Sequence, residues 1–459
     1  MRYRASDVAH ASSGRLVGRD VELDGASFDS RSISPGELFV PLVADRDGHD
    51  FIPFAAVAGA AATLSSRPSD GVLPTIEVLD TGRALLDLAS WARQRLAATV
   101  IGVTGSVGKT STKDLAVSAI GAGRRVAANT RSFNNDQGLP VTVLGAPDDV
   151  EVLVLEMGMR GAGEIARLCS VARPGIGVVT SVSAAHSELL GGIEGVALAK
   201  AELVEALPSS GTAILNADDD RVVAMARRTG AGVLTFGRAT SADVRIEDLR
   251  LDEVARPRFV ARTPWGSVDV QLAVSGGHMA SNAAAALAAA GLVGVPIDKA
   301  AAALCSAELS ARRMQLLPTP EGGLVVNDAY NANPASVAAA LEAVAAMGAD
   351  RRIAVLGLMA ELDDPILEHR RIAARADELG VELVAVETDL YGVAPIGLAD
   401  VAARLGTLAG GTVVLVKGSL VAGLGPVADA LAAPAPAPDD AMSDEWSDDA
   451  HRSSRPTRR

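Results

Sequence analysis

The chain has 459 residues, of which 49% are hydrophobic and 3% are aromatic, and its formal net charge is −14. This length corresponds to roughly three domains, and the apolar content suffices for several cores packed mainly by Ala, Val and Leu. The acidic balance argues against nucleic acid as a partner, because nucleic-acid recognition normally requires a basic patch.

Targeting and cysteine signals both favour a cytoplasmic protein. The first residues, Met1 to Asp7, lack the apolar stretch of a signal peptide. We find no run of about 20 strongly apolar residues, so no membrane insertion is expected. Cys169 and Cys305 are far apart and lie in apolar, helix-like contexts. We expect both to be buried, reduced thiols.

Three α/β blocks and a tail follow one another: 1–95, 96–313, 314–432 and 433–459. Strands are predicted at 38–42, 75–78, 99–103, 151–156, 176–182, 212–216, 233–236, 324–327, 353–357, 383–386 and 413–417. Their alternation with helices in the middle block predicts a mostly parallel sheet covered by helices on both faces. The tail is rich in Pro, Ala, Ser, Asp and Arg. That composition predicts disorder, because it cannot bury enough surface to offset its ordering entropy.

A glycine loop joins the strand at 99–103 to a helix predicted at 113–122. It reads Thr104-Gly105-Ser106-Val107-Gly108-Lys109-Thr110-Ser111. The glycines let backbone N–H groups approach phosphate oxygens, Lys109 can reach the terminal phosphates, and the Thr110 hydroxyl can bind Mg²⁺. Val103 stands where the general P-loop pattern has a further glycine, so the alternative is a turn that binds no nucleotide. The strand before the loop and the helix after it favour an ATP site.

Polar residues at the carboxyl ends of the middle strands are candidates for the chemistry. Glu156 closes the strand at 151–156 and is well placed to hold a hard cation beside phosphates. His186 follows the strand at 176–182, and Lys200 lies on the next helix. Each also fits a structural role: Glu156 as a helix cap, His186 as a surface or core histidine, and Lys200 on a solvated helix face.

An Asn-rich segment follows the strand at 324–327 and reads Asp328-Ala329-Tyr330-Asn331-Ala332-Asn333-Pro334. Asp328 can accept hydrogen bonds from ribose hydroxyls, and Asn331 and Asn333 offer donors and acceptors to a base or a peptide. The segment also fits an ordinary turn before a helix, with Asn333 as N-cap and Pro334 as the first helical residue. The two interpretations are compatible.

These motifs resemble those of the Mur ligases, ATP-dependent enzymes that form amide bonds in peptidoglycan synthesis. The resemblance runs from about residue 28 to about residue 419. It implies an N-terminal α/β domain that binds a uridine nucleotide, a central domain with a mostly parallel P-loop-type sheet, and a C-terminal Rossmann-like α/β domain. In the first domain it is carried by Phe28-Asp29-Ser30-Arg31 and Asp47-Gly48-His49-Asp50-Phe51. The substrate contacts implied there are Ser30, Arg31, Asp47 and His49.

The central block carries the most specific match. Its glycine loop matches the phosphate loop of the family, which tolerates Val103. Residues 132–140 (Ser-Phe-Asn-Asn-Asp-Gln-Gly-Leu-Pro) resemble the signature of members that add D-alanyl-D-alanine. This likeness implies substrate contacts by Asn134, Asn135 and Gly138. The metal ligands implied for two Mg²⁺ ions are Thr110, Glu156, His186 and Lys200, with Lys200 carbamylated into a carboxylate-like group.

The third block resembles the family where the nucleotide and the peptide are held. Residues 277–283 resemble the helix whose Asn282 meets the nucleotide, and Arg312 resembles the arginine that closes the domain boundary. Asp328, Tyr330 and Asn331 are implied as further ATP contacts, and Asn333 as a substrate contact.

Four departures from the family pattern concern mainly the third block. Leu420 stands where an Arg is usual, Leu358 stands where an Asp is usual, and the segment 387–402 is short. Met159-Arg160 replaces the more usual residues of the central block. Two alternatives therefore stay open: a related ligase with another amino-acid or peptide substrate, and a non-catalytic nucleotide-binding relative. The Asp-Asn-Pro-Arg motif of the diaminopimelate-adding relatives is not found, which argues against the first of these alternatives, the related ligase.

The resemblance implies a cytoplasmic, monomeric ligase that uses ATP and Mg²⁺. Its substrates would be a UDP-linked muramoyl tripeptide and D-alanyl-D-alanine. Lys109, Glu156, His186 and Lys200 are the implied catalytic residues. Their joint presence speaks against a non-catalytic relative, because a protein that only binds nucleotide needs no second metal site.

Overall fold

The computed structural model describes residues 1–130, 133–183 and 190–433. His186, Ser132 of the 132–140 motif and the tail from residue 434 lie outside the described residues. The chain forms three successive α/β units, each built on a sheet of its own. The sheets fall within the three blocks read from the sequence.

The first unit consists of a small mixed sheet and three helices. Its elements are β1 Arg2–Arg4, α1 Ala5–Ala11, β2 Arg15–Val17, β3 Glu22–Asp24, β4 Ala26–Ser27, β5 Leu38–Phe39, α2 Ile52–Ala58, β6 Ala62–Ser65, β7 Thr75–Glu77 and α3 Thr81–Arg95. The five-stranded sheet has the order β2-β7-β6-β5-β4 and is parallel except for β2, while β1 pairs with β3. The carboxylate of Asp80 caps α3 by accepting from the Arg83 N–H.

The central unit is a nine-stranded sheet with helices packed on it. Its elements are β8 Thr99–Thr104, α4 Lys109–Gly121, β9 Val126–Ala128, α5 Gly138–Leu144, β10 Val152–Glu156, α6 Glu164–Ala172, β11 Ile176–Val179, α7 Ile193–Glu205, β12 Thr212–Asn216, α8 Asp220–Ala224, β13 Gly232–Gly237, β14 Val244–Leu251, β15 Pro257–Thr263, β16 Gly266–Gln271, α9 Met279–Leu292 and α10 Ile297–Leu304. The order is β9-β10-β8-β11-β12-β13-β14-β15-β16, parallel up to β14 and antiparallel beyond it.

Parallel pairing of the central strands places their carboxyl ends together. β8 lies between β10 and β11, with Glu156 opposite Val103 and Val179 opposite Thr104. The strands are buried along most of their length, as expected for a parallel sheet covered on both faces. The polar residues that follow these strands therefore share one edge of the sheet.

The third unit is a five-stranded sheet with four helices among the described residues. Its elements are β17 Gln315–Pro318, β18 Leu324–Asn327, α11 Pro334–Ala345, β19 Arg351–Leu356, α12 Pro365–Glu378, β20 Glu382–Ala385, α13 Val401–Leu405, β21 Thr412–Lys417 and α14 Gly425–Ala432. The order is β17-β18-β21-β19-β20, with β17 antiparallel and the others parallel. Asn333 caps α11 and Pro334 begins it, as predicted.

A helix made largely of alanine lies at the centre of the largest core. The alanines of α9 from position 283 to 290 are almost completely buried, and the helix packs on α4 and on the sheet. Small side chains allow these elements to approach closely. The same core continues into the third unit through residues such as Val326, Val337 and Leu341.

The predicted strands and the predicted α/β class are confirmed, with strand ends that differ from the predicted ones by at most three residues. The prediction of two buried thiols is wrong for Cys305, because Cys169 is buried and Cys305 is exposed. Cys305 follows the last residue of α10, whose buried face is taken by Ala300, Ala301 and Leu304. No helix among the described residues has the length and apolar character needed to cross a membrane.

Candidate active site

The glycine loop between β8 and α4 is held in one shape by close backbone contacts. Gly108 has a φ of +85°, and a Cβ there would lie 2.6 Å from the Asn282 amide oxygen of α9. The Thr180 hydroxyl, after β11, donates to the Val107 carbonyl across 2.6 Å. The loop is therefore packed between α9 and the end of β11, and it leads into the first N–H groups of α4, which have no partner within the helix.

Lys109 begins α4 and folds back onto the loop. Its Nζ donates to the Gly105 carbonyl across 2.8 Å. Burial lowers the pKa of Lys109, the Glu156 carboxylate opposes this shift, and the Arg313 charge adds to it. A desolvated ammonium close to another cation is suited to an anionic ligand such as a phosphate.

The carboxylate of Glu156 is the centre of a buried polar cluster. It accepts from the Thr110 hydroxyl across 2.8 Å and from the Asn134 side chain across 2.7 Å. Asn129 fixes the Glu156 main chain by accepting from its N–H at 2.9 Å and donating to its carbonyl at 3.2 Å. The carboxylate is thus engaged by Thr110 and Asn134, and the alternative of a helix cap does not hold.

Lys200 is buried inside α7, so the alternative of a solvated helix face is wrong. Burial lowers its pKa well below the ordinary value for lysine, and the charge of Lys109 lowers it further. The structure therefore presents a buried lysine whose neutral form is favoured by burial and by the nearby charge of Lys109. His186 lies outside the described residues.

The third unit contains a buried ion pair between Lys417 and Asp328. Lys417, at the end of β21, places Nζ 2.5 Å from the Asp328 carboxylate and also donates to the Asn331 carbonyl across 2.8 Å. Burial lowers the pKa of Lys417, and Asp328 opposes the shift. The other carboxylate oxygen of Asp328 accepts from the Met314 N–H at 3.1 Å. Each carboxylate oxygen of Asp328 thus has one partner inside the protein.

Arg313, which the sequence reading missed, reaches the phosphate loop from the third unit. It donates to the Thr110 hydroxyl across 2.9 Å, and its guanidinium lies 4.4 Å from the centre of the Tyr330 ring. Arg312, the predicted residue, instead pairs with Asp429 of α14 at 3.3 Å. The twin arginines were visible in the sequence, but their directions depend on the backbone. Arg312 has a φ of +62°, a conformation that sequence spacing does not reveal.

The predicted substrate residues of the first unit form two groups. Arg31 pairs with Asp29 at 2.7 Å on the surface, next to the partly exposed Ser30. His49 is buried, with Nδ1 2.6 Å from the Asp47 carboxylate and Nε2 accepting from the Ser66 N–H at 3.0 Å. The N–H and the ring of His49 lower the pKa of Asp47 to about 2. His49 therefore joins two loops of this unit.

The 132–140 motif connects the first unit to the Glu156 cluster. The Phe133 ring lies 5.4 Å from the ring of Phe28, while Asn134 contacts Glu156. The Asn135 side chain accepts from the Gly138 N–H at 2.9 Å, and a Cβ at Gly138 would collide with Phe133. The structure thus places Asn134, Asn135 and Gly138 between the first unit and the metal-binding candidates.

The donor set fits a hard cation held partly by a nucleotide. Thr110 and Glu156 offer a hydroxyl and a carboxylate oxygen 2.8 Å apart at the start of α4, the oxygen chemistry that Mg²⁺ prefers beside phosphates. Among the described residues, no group of three His, Cys, Asp or Glu side chains could hold a metal ion by itself. Phosphate oxygens would have to complete the coordination.

Comparisons with known proteins find one family over most of the chain. Residues 103–290 match the Mur ligase middle domain, and residues 312–420 match the Mur ligase glutamate ligase domain. One relative is the UDP-N-acetylmuramoyl-tripeptide–D-alanyl-D-alanine ligase of Mycobacterium tuberculosis (strain H37Rv). The two sequences are 41% identical over an alignment of 466 positions, gaps included, which covers 88% of this chain and 91% of the relative.

Two solved structures share the three-unit arrangement. The crystal structure of MurF from Acinetobacter baumannii is similar with a TM-score of 0.84 at 26% identity, covering 94% of this chain and 99% of that one. MurF ligase from Thermotoga maritima in complex with ADP gives a TM-score of 0.77 at 26% identity, covering 88% of this chain and 96% of that one. Both are among the solved proteins to which the chain is similar.

Proposed function

Because this chain belongs to the Mur ligase family, we propose that it is the ATP-dependent ligase that joins D-alanyl-D-alanine to a UDP-N-acetylmuramoyl tripeptide. The relative from Mycobacterium tuberculosis carries that name at 41% identity. The observation that carries the proposal is the Thr110 hydroxyl, which contacts Glu156 of the central unit and Arg313 of the third. A phosphate loop closed from two units is what transfer from a bound nucleotide requires.

The proposed reaction begins at the carboxylate of the tripeptide, a poor electrophile at neutral pH. Transfer of the γ-phosphate of ATP to this carboxylate would give an acyl phosphate. The amine of D-alanyl-D-alanine would then attack the acyl carbon, form the amide bond and release phosphate. The third unit, closed over the central one, would exclude water that would otherwise hydrolyse the acyl phosphate.

Lys109 and Arg313 are the side chains proposed to act on the transferring phosphoryl group. Both are cations beside the loop, and their fixed positions would stabilise negative charge as it shifts during transfer. The Arg313 Nε is buried and has no hydrogen-bond partner among the described residues, so it has a donor free for a phosphate oxygen. Mg²⁺, when bound at Thr110 and Glu156, would neutralise charge on the phosphate oxygens.

Lys200 is proposed to carry a carbamate. A carbamate forms when a neutral amine attacks carbon dioxide and releases a proton, and burial, which lowers the pKa of Lys200, shifts this lysine toward the neutral amine. The carbamate is an anion, so the repulsion between the Lys200 and Lys109 ammonium groups would be replaced by attraction between the carbamate and Lys109. With His186, as the family resemblance implies, it would hold a second Mg²⁺.

The remaining site residues are proposed as positioning contacts for the substrates. The 104–111 loop, Asn282, Asp328, Tyr330 and Asn331 line the nucleotide side. On the acceptor side we propose Ser30, Arg31, Asp47, His49, Asn134, Asn135, Gly138 and Asn333. Arg313 replaces Arg312 in the nucleotide set, because Arg312 points to Asp429.

The proposed enzyme works as a cytoplasmic monomer with domains at 1–95, 96–313 and 314–432. The substrates are nucleotide-linked precursors and ATP, which are found in the cytoplasm.

Amine-dependent phosphate release tests the function directly. The purified chain would be supplied with ATP, Mg²⁺ and UDP-linked muramoyl tripeptides that differ in their third residue, together with a panel of dipeptides and amino acids. We expect release only with a tripeptide acceptor and D-alanyl-D-alanine. Release with another amine would favour the related ligase, for which the departures at Leu358 and Leu420 are the structural reason. Binding of ATP without release under any combination would favour the non-catalytic relative.

A further inference from the structure

Three polar side chains on one face of α4 hold the chain segment that leads into the third unit. Thr110, Asp114 and Ser118 are spaced four residues apart, so they lie above one another on the helix. The Thr110 hydroxyl accepts from Arg313, the Asp114 carboxylate accepts from the Ser310 N–H at 2.8 Å, and the Ser118 hydroxyl donates to the Ala303 carbonyl at 3.1 Å. The helix that begins at the phosphate loop therefore also positions the connection between the central and third units.

This connection has a strained backbone on either side of Arg313. Arg312 and Met314 have φ values of +62° and +49°. Residues other than glycine rarely adopt this conformation, because the Cβ atom then crowds the backbone and raises the free energy of the folded chain. Such a shape persists only where surrounding contacts impose it. Three carboxylates make these contacts: those of Asp114, Asp328 and Asp429.

Asp114 differs from the other two carboxylates because it belongs to the central unit. Its second oxygen lies 2.9 Å from Nζ of Lys113, and both side chains are largely buried. Lys113 also donates to the Asn129 carbonyl at 2.9 Å, and Asn129 holds the main chain of Glu156. One network therefore connects the metal-binding candidate Glu156, the phosphate helix and the segment that carries Arg313.

We propose that Asp114 is a positioning residue that fixes the segment 310–314, so that the Arg313 guanidinium is delivered to Thr110 and the nucleotide. Asp114 itself touches no reacting atom. It acts by holding the Ser310 N–H, three residues before Arg313, against a fixed point of α4. The inference rests on the proposed function for its kinetic consequence, but the restraint on the segment exists whatever the reaction.

The experiment compares Asp114→Ala and Asp114→Asn with Asp298→Asn. Asp298 is an exposed acidic residue of α10, and its replacement removes the same charge from a surface position. We expect Asp114→Ala to lower kcat/KM for ATP about tenfold or more, the loss typical of one hydrogen bond to a charged group. Asp114→Asn keeps an acceptor for Ser310 and should recover part of this loss. Asp298→Asn should behave as the unmodified chain.

A double variant separates positioning from general damage. If Asp114 acts through Arg313, then Asp114→Ala combined with Arg313→Ala should be no slower than Arg313→Ala alone. Multiplied losses in the double variant would overturn the proposal. Hydrogen exchange supplies a measurement that does not depend on catalysis: Asp114→Ala should accelerate exchange of the 308–314 amides and leave the α4 amides unchanged. Unchanged exchange in 308–314 would contradict the restraint, whereas an inactive unmodified chain would contradict only the proposed function.

Discussion

Lys417 and Asp328 form a buried ion pair in which Nζ lies 2.5 Å from the carboxylate. Lys417 ends β21, Asp328 directly follows the neighbouring parallel strand β18, and Asp328 also accepts from the Met314 N–H. The pair therefore fixes the point at which the third unit meets the segment carrying Arg313. Its role in stability can be separated from any role in binding.

Replacing Lys417 with Met should lower the free energy of unfolding by roughly 3–5 kcal/mol, because it leaves the buried Asp328 carboxylate without its cation. Chemical denaturation measures this loss. Asp328→Asn added to Lys417→Met should restore part of the stability, because the unpaired charge is removed. The same substitution at the exposed Lys299 is the control, and an equal loss there would refute the argument.

Lys109→Ala should abolish turnover while leaving the fold intact. The side chain bonds to the loop carbonyl of Gly105 and not to the core, so its removal affects phosphate binding more than packing. A loss of at least about 100-fold in kcat is expected when a preorganised charge is removed from phosphoryl transfer. Phosphate release and circular dichroism measure the two effects, and near-normal turnover in a folded variant would rule out the assignment of the loop.

Lys200 distinguishes a carbamate from an ordinary lysine. Lys200→Ala should remove most of the activity, and a small carboxylate added to the assay should restore part of it by taking the place of the carbamate. Lys200→Arg keeps a positive charge but cannot be carbamylated, so we expect it to fail as badly as Ala. A fully active Lys200→Arg enzyme would disprove the carbamate and the second metal site with it.

His369 should make stability depend on pH in the weakly acidic range. Its Nε2 accepts from the Met359 N–H at 3.0 Å, Nδ1 lies 2.6 Å from the Pro365 carbonyl, and burial lowers its pKa. A base whose pKa is lower in the folded chain stabilises the fold above the unfolded pKa, which is 6.5, and this contribution is lost as the pH falls below that value.

The free energy of unfolding should therefore fall between pH 7.5 and 5.5, by at most about 1.4 kcal/mol per pH unit for one proton. His369→Gln keeps an acceptor for Met359 but does not titrate, so its slope should be shallower than that of the unmodified chain. His278, whose pKa is also lowered by burial, would account for the slope that remains. Identical slopes in the two proteins would exclude His369 as a source.

The fold was predictable from sequence because its strands are continuous apolar runs, and the polar residues after them fall at one edge of a parallel sheet. Glu156 and Thr110 follow from that rule and lie 2.8 Å apart. The role of Arg313 could not be predicted in this way. The left-handed backbone at Arg312 decides which of the two adjacent arginines points to the phosphate loop, and the sequence does not reveal that conformation. The role of Asp114 was not predicted either, because an acidic residue on a helix usually lies on a solvated face, and its contact with the Ser310 N–H is visible only in the structure.

The alanines of α9 have a consequence for how this protein can change. A larger side chain in place of a buried alanine would overpack the core and lower the stability by about 1–3 kcal/mol. A glycine there would weaken the helix and lower the stability by about 1 kcal/mol. The close approach of α9 to α4 and to the sheet is therefore encoded by the seven alanines among residues 283–290, a run that Leu287 alone interrupts. Sequence drift should be slowest along this helix, so that a library of random substitutions would show its deepest depletion at residues that touch no ligand.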